Sequence, residues 1–473
     1  MRIVASLLLL ANAAAAQQRY PVDWGELRPE ILRYFKQLIQ TDTSNPPGNE
    51  TRAAKAIQAV LQREGIAANL FAAEPARANI VARVKGDGSK KPILLLGHTD
   101  VVGVQRDHWS VEPFAAMQKN GLIYGRGAVD DKDHVVAGMM ILLLLNRLHV
   151  KLSRDVIFLA EAGEEGATAF GIDYMVSQHW PAIEAEYALT EGGSIVEEDG
   201  KVHHILITTT EKTPLEVRLV ARGPASHGSR PTQENAVLHL ARAVAKVGSW
   251  QTPIRINETT RAYFERLSLI SSPSDAARYR AILDPARAAE ADRYFEQYEP
   301  GHYSMVRTSV APTELNAGFR ANVIPAEASA NLDIRALPDE DLGKFFAVLR
   351  RVVNDPAVEV IPPKASERPA SAPSRIDNEM FHALERVGKE MFAAPTLPGM
   401  LTGATDAAQL RAKGVECYGY GPIVTAGDGL SGGAHADDEH IAVSSLEKMI
   451  EFLWKAVIEV AAGPGNQSPQ GKH

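Results

Sequence analysis

Thiols are almost absent from this chain of 473 residues, in which Cys417 is the single cysteine. That excludes an intrachain disulfide framework and any metal site built on several thiolates. If the chain holds a metal, His, Asp and Glu must supply the ligands. Basic residues are not in excess: Lys and Arg number 50 against 58 Asp and Glu, a formal net charge of -8. No surplus of positive charge exists to neutralise phosphates, which argues against nucleic acid as a partner. Apolar runs of membrane-spanning length are lacking too. Met139 to Leu145 is strongly apolar, but it sits in a helical pattern that ends at Asn146-Arg147, and it reads as a buried core helix. There are no internal repeats. What is present is a globular balance, 45% apolar and 23% charged, over a length that calls for two domains or one with a large insertion.

The first residues read as an address. Arg2 is a short positive region, Ile3 to Leu10 is apolar but too short to span a bilayer, and Ala14-Ala15-Ala16 precedes Gln17 as a small-residue cleavage site. Residues 1–16 therefore read as a secretory signal peptide. The expectation is an exported protein, periplasmic or extracellular, with Cys417 a free buried thiol.

Downstream, Tyr20 to Glu64 reads as helix interrupted by the turn-rich run Thr43-Ser44-Asn45-Pro46-Pro47-Gly48-Asn49-Glu50. Ile80–Val84, Ile93–Leu96, Val156–Leu159 and Ala188–Thr190 read as buried strands, with helical patterns between them at Val135–Leu148 and Gly171–Gln178. That alternation predicts an α/β fold with a mainly parallel sheet over 20–210. From 211 to 365 the pattern changes to strands at Leu215–Ala221 and Ala330–Arg335 and helices at Asn235–Val247 and Asp341–Val352. This predicts a smaller inserted α+β domain, with a charged, Ala-rich helical excursion at 259–298. The α/β pattern resumes over 366–462, and 463–473 reads as a disordered tail.

Five segments place histidine or carboxylate at strand ends or in loops. In Leu94-Leu95-Leu96-Gly97-His98-Thr99-Asp100, an apolar strand delivers His98 at its carboxyl end, where open α/β sheets bind ligands. Asp100, two residues on, returns to the same side and suits the orientation of a metal-bound imidazole. Tyr124-Gly125-Arg126-Gly127-Ala128-Val129-Asp130-Asp131-Lys132 has glycines but no strand–GxGxxG–helix context, so it is not a nucleotide loop. Its paired aspartates suit a divalent ion as well as a helix cap. Ala160-Glu161-Ala162-Gly163-Glu164-Glu165-Gly166 follows a strand, and neighbouring glutamates can divide metal binding from proton transfer. Glu191 in Leu189-Thr190-Glu191-Gly192-Gly193 ends another strand, and His435 lies in the loop Gly432-Gly433-Ala434-His435-Ala436-Asp437-Asp438-Glu439. Two histidines and at least three carboxylates fit two zinc ions bridged by one carboxylate.

In order and spacing these segments resemble the two-zinc amidohydrolases that include aminoacylase-1, bacterial glutamate carboxypeptidase, succinyl-diaminopimelate desuccinylase and yeast carboxypeptidase S. The similarity runs from about Tyr34 to about Trp454. Tyr124-Gly125-Arg126-Gly127, Asp130-Asp131-Lys132 and the helical excursion point to the carboxypeptidase S and N-fatty-acyl amino acid hydrolase branch. The resemblance implies a zinc-peptidase catalytic domain carrying an inserted lid and dimerisation domain. It implies that His98 and Glu191 bind one zinc, Glu165 and His435 the other, and that Asp130 bridges them, followed by a cis peptide bond. It makes Asp100 the residue that orients His98, and Glu164 the general base. Gly223-Pro224-Ala225-Ser226-His227-Gly228-Ser229-Arg230-Pro231 resembles the lid motif whose histidine, here His227, reaches the neighbouring subunit's active site. Asn322-Val323-Ile324-Pro325, Asp333-Ile334-Arg335 and Gly403-Ala404-Thr405-Asp406-Ala407 resemble the segments that hold a substrate carboxylate, through Asn322, Arg335 and the Gly403 backbone.

The expected reaction is zinc-dependent hydrolysis of an amide bond next to a free carboxylate, in an N-acyl amino acid or short peptide, by a homodimer. Cobalt or manganese can substitute for zinc. An aminopeptidase-type exopeptidase, or a non-catalytic binding protein on the same scaffold, stands as the alternative. Two departures bear on substrate choice: Asp133-His134 stands where many relatives have small residues, and Thr190 where many have an acid. His440 is a rival ligand to His435. Asp437, Asp438 and Glu439 read as a solvated run, and Asp131 as structural.

Overall fold

The computed structural model describes residues 20–364, 368–425 and 433–463. The expected signal peptide and almost all of the expected tail lie outside the described residues. The chain divides into two compact units, one running to Thr209 with 374–398 and 409 onward, the other formed by 210–373 and 399–408.

In the first unit, the strands expected from short apolar runs form the middle of a ten-stranded sheet. Ile93–His98 pairs in parallel with Val156–Glu161 on one side and with Tyr187–Thr190 on the other. Glu416–Gly419 extends this parallel core beside Tyr187–Thr190. Ala78–Val84 runs antiparallel on the far side of Val156–Glu161. The sheet is therefore parallel in the middle and mixed at its flanks. Every residue of Ile93–His98 and Val156–Glu161 is buried, as expected of strands covered on both faces.

The helix Lys132–Arg147 lies in the core of this unit, and all of its residues from Lys132 to Leu145 are buried. Met139 to Leu145 is thus core, and among the described residues no helix is long and apolar enough to cross a membrane. The helix packs flush on Ile93–His98 because Gly97 presents no side chain. A Cβ there would lie 3.0 Å from both Asp131 Oδ2 and the Val135 amide nitrogen. Sequence pattern and packing agree on Trp24–Ile39 and Thr51–Arg63, the two helices flanking the turn-rich run.

The second unit is built on a four-stranded antiparallel sheet ordered Ser309–Ala317, Glu327–Ala336, Thr213–Arg222, Val358–Ile361. Glu327–Ala336 alternates strictly: Ala328, Ala330, Leu332, Ile334 and Ala336 are buried, while Asp333 and Arg335 lie on the opposite, half-open face. The buried set joins Leu240, Ala243, Phe345 and Leu349 of the helices Ala236–Gly248 and Leu342–Val353 in one apolar core. Asn235 and Asp341 cap these helices. The helical excursion is real and longer than expected, comprising Glu258–Leu267, Pro273–Ala281, Ala288–Tyr298 and Pro300–Met305. Residues 399–408 group with this unit, although the sequence pattern assigned all of 366–462 to the catalytic domain. Their anchors explain it: the Lys212 amide donates to Leu401 O at 3.0 Å, and the Thr405 hydroxyl donates to Glu211 at 2.8 Å.

Candidate active site

Strand ends and the loops after them bring seven predicted residues of the first unit together. His98 is the last residue of its strand. Its backbone amide donates to Asp131 Oδ2 at 3.0 Å, and its Nδ1 lies 3.0 Å from the carbonyl oxygen of Asp100. A carbonyl only accepts, so Nδ1 carries the ring proton and Nε2 is the free ligand atom. That Nε2 is 2.9 Å from Asp130 Oδ1. His435 Nε2 approaches the other oxygen of the same carboxylate, Asp130 Oδ2, at 3.2 Å, and Glu165 Oε1 at 2.8 Å. Two donor sets result, His98 with Asp130 and Glu191, and Asp130 with Glu165 and His435, the ligand atoms of each within 4.8 Å of one another. Asp130 belongs to both. Glu164 lies beside them, within the same distance of His98 and Glu165. The Asp130–Asp131 peptide bond is cis, as the resemblance implies.

The electrostatics describe a site with too many negative charges for its own imidazoles. Burial raises the Glu191 carboxyl well above its ordinary range, and the nearby carboxylates of Asp131, Glu164 and Asp130 add to the effect. The Asp130 carboxyl is held low against its burial by His435 and His98. His435 is pushed up to about 10, first by its bond to Asp130 and then by Glu165. Crowded carboxylates with two imidazole nitrogens, all oxygen and nitrogen donors, fit divalent cations.

Asp100 does more than expected. Its carboxylate is 3.5 Å from His98 Nδ1. It also accepts from the backbone amides of Glu164 at 3.1 Å and Glu165 at 3.2 Å. Asp100 thus positions the acidic loop, while its carbonyl oxygen orients His98. Gly163, at φ +77°, lets that loop turn: a Cβ there would lie 2.4 Å from Ala167 O.

Two positioning residues escaped the sequence pattern. Asn45, in the turn-rich run, donates through Nδ2 to Asp100 Oδ2 and to Glu165 O, both at 2.9 Å. Glu439, which reads as part of a solvated run, is fully buried. It accepts from Arg126 NH1 at 2.6 Å, the Val129 amide at 2.8 Å and the Gly127 amide at 3.1 Å. Arg126 also reaches His435 O at 3.4 Å. The pair ties the loop carrying Asp130 to the loop carrying His435. Arg126, in the glycine-rich motif, was the available signal.

The remaining questions of the sequence close on geometry. His440 Nδ1 bonds Asp438 O at 2.7 Å, and its ring lies against Tyr124; it belongs to neither donor set. His134 lies 2.6 Å from Asp131 Oδ1 and 3.2 Å from Asp133 Oδ1, its Nε2 donating to Tyr420 O. The unusual Asp133-His134 pair is thus buried with Asp131 in a third His/carboxylate cluster, its ligand atoms within 4.8 Å of one another, at the start of Lys132–Arg147, which begins directly after Asp131.

In the second unit, His227 and Asn322 are neighbours. The strand pair Ser226–His227 with Val323–Ile324 places His227 opposite Val323, and the Gly228 amide donates to Asn322 O at 2.8 Å. His227 is exposed, and its Nδ1 accepts from the Ser229 amide at 3.1 Å. The ring proton therefore sits on Nε2, where it can be donated. Arg335 forks onto Asp333, Nε to Oδ1 at 2.8 Å and NH2 to Oδ2 at 3.1 Å. Gly403 lies in the loop whose next turn, at Thr405, is held by Glu211.

Known proteins resemble this chain in sequence and in fold. The N-fatty-acyl-amino acid synthase/hydrolase PM20D1 of Xenopus tropicalis is 27% identical over 388 residues, covering 78% of this chain and 73% of that protein. A probable carboxypeptidase S-like 2 of Dictyostelium discoideum is 26% identical over 393 residues, covering 81% and 74%. The crystal structure of the M20 family metallo-carboxypeptidase Sso-CP2 of Sulfolobus solfataricus has the same fold at 18% identity, with a TM-score of 0.68 over 91% of this chain and 99% of that one. With the description "Peptidase family M20/M25/M40" matched over residues 94–459, this chain belongs to that family of amide-bond hydrolases.

Proposed function

We propose that this chain is an exported zinc hydrolase that cleaves the amide bond of N-acyl amino acids or short peptides beside a free carboxylate. The observation that carries the reading is the sharing of Asp130 by two His/carboxylate donor sets with Glu164 alongside. His98, Asp130 and Glu191 would hold one ion, and Asp130, Glu165 and His435 the other. Bound there, two divalent cations supply Lewis acidity to the scissile carbonyl and make water nucleophilic at neutral pH. Zinc suits imidazole and carboxylate donors, and cobalt or manganese can replace it.

The chain's own residues do the rest. Glu164 takes the proton of the attacking water and passes it to the leaving amine. Asp100 and Asn45 fix the backbone from which Glu164 projects, so its reach is set before substrate arrives. His227 offers Nε2–H to the developing oxyanion. In this reading it acts on the partner subunit of a homodimer. Support for that pairing is the edge strand Ser309–Ala317, exposed from Ala311 onward, with apolar Leu315 and Phe319 uncovered. Arg335 and Asn322 hold the substrate carboxylate, the guanidinium by the edge that Asp333 does not occupy, and the Gly403 backbone caps it. The names of the two relatives agree with acyl amino acids and carboxyl-terminal cleavage. Export rests on the pattern of residues 1–16.

A substrate panel tests this: N-acetyl, N-long-acyl and dipeptide substrates, each with a free or an amidated carboxyl. Preference for the free carboxyl across the panel is expected; equal cleavage of the amidated forms would overturn the carboxylate assignment.

A further inference from the structure

Lys212 is fully buried. Among the described residues no carboxylate lies within ion-pair distance of its ammonium group; Nζ donates to the hydroxyls of Ser304 at 2.9 Å and Ser309 at 3.0 Å. Burying a cation against hydroxyls alone is costly, and such groups are normally paired. Its position is informative. Ser309 is the register partner of Arg335 on one neighbouring strand, and Pro214, two residues after Lys212, is the partner on the other. Lys212 therefore stands at the end of the sheet where Arg335 projects. Its backbone amide holds Leu401 O, and the preceding Glu211 holds Thr405, so the same dipeptide also anchors the loop that carries Gly403.

The charges around Lys212 do not cancel. Arg335 and Asp333 neutralise each other, and Arg307 is paired with Asp292. Glu211 is turned to Thr405, while Glu299 and His302 pair with each other on the segment that supplies Ser304. The cluster of Lys212, Arg335 and Asp333 is one anion short.

We propose that Lys212 is a positioning residue for carboxylate recognition. Its buried charge leaves the Arg335 subsite one negative charge short, and the substrate carboxylate supplies that charge. This rests on the assignment of the substrate carboxylate to Arg335. Burial, and then repulsion by Arg335 and Arg307, depress the Lys212 ammonium to about 7 against the weaker pull of Asp333. An arriving carboxylate reverses that balance, so binding near neutral pH draws a proton onto Lys212.

The test compares wild type, Lys212→Met and Lys212→Arg in the metal-loaded full chain, on one N-acetyl amino acid and its carboxamide. Lys212→Met is expected to raise KM for the free carboxylate about tenfold, with kcat retained and KM for the carboxamide unmoved. Lys212→Arg restores the lower KM. Independently, calorimetry of the N-acetyl amino acid binding to Glu164→Ala enzyme at pH 8, in HEPES and in Tris, should show uptake approaching about one proton. Adding Lys212→Arg should abolish that uptake, because guanidinium stays charged; a merely structural lysine would give no uptake to lose. If Lys212→Met does not fold, the calorimetry decides alone. A wild type indifferent to amidation overturns the carboxylate assignment and this inference with it. A wild type that prefers the free carboxyl, with KM unchanged in Lys212→Met or with no proton uptake, overturns this inference only.

Discussion

The Nε2 atom of His98 stands 2.9 Å from Oδ1 of Asp130, and His435 faces the other oxygen of that carboxylate. One side chain therefore belongs to both donor sets, which separates its loss from the loss of any other member of the cluster. Asp130→Ala should take metal content from about two ions per chain to nearly none, whereas Glu165→Ala should leave about one. Elemental analysis after dialysis against a weak chelator measures this. Two ions retained in Asp130→Ala would refute the bridging role.

Glu164 sits in the same cluster but is not needed to complete either donor set. A residue that moves protons and does not hold metal should be removable without loss of metal. Glu164→Ala is expected to lower turnover by about 10²–10⁴-fold at unchanged metal content. Full turnover in the metal-replete variant would remove Glu164 from the mechanism.

Glu439 gives a sharper check on how the centre is held together, because it touches neither substrate nor metal in this reading. Its carboxylate gathers Arg126 and two backbone amides just before Asp130. Glu439→Gln swaps one acceptor oxygen for a donor facing donors. The Asp130 loop should loosen, and metal affinity should fall about 10–100-fold while the circular dichroism spectrum is kept. Competition with a chromophoric chelator reads the affinity; an unchanged constant would show that the loop holds itself.

The contrast between His98 and Glu439 shows what the sequence could and could not reveal. His98, Glu165 and Glu191 follow short apolar runs, and such runs become parallel strands whose carboxyl ends gather in one place. That these residues cluster was legible because local pattern and global topology point the same way. Glu439 sits in Asp437-Asp438-Glu439, where local composition indicates solvent. Its burial is set by Arg126, more than 300 positions earlier in the chain, and no local periodicity encodes that. Asn45 was hidden likewise, since a turn signal gives the backbone's path but not the target of a side chain. For Asp100, spacing places its carboxylate beside His98 Nδ1, at 3.5 Å, as read from the sequence; what spacing did not reveal is that the same carboxylate also holds the amides of Glu164 and Glu165. Residues 399–408 carry α/β patterning yet group with the second unit, because Glu211 and Lys212 hold them there.

Lys212 also makes a claim on stability that does not depend on any substrate. Its ammonium group falls to about 7 in the folded chain from 10.5, chiefly through burial. Between those two pH values the unfolded chain keeps a proton that the folded chain has released. Stability attributable to this group therefore rises with pH across the window, and the full cost of the buried charge is present below about 7. Lys212→Met removes the charge and keeps most of the apolar stem. At fixed metal loading, the variant should gain more in Tm relative to wild type at pH 6 than at pH 9. The loss of two hydroxyl contacts offsets both values about equally, so the difference between them isolates the charge. Thermal unfolding of both proteins at the two pH values measures it. An equal Tm difference at pH 6 and pH 9 would mean that Lys212 stays protonated throughout, satisfied by Ser304 and Ser309 without help.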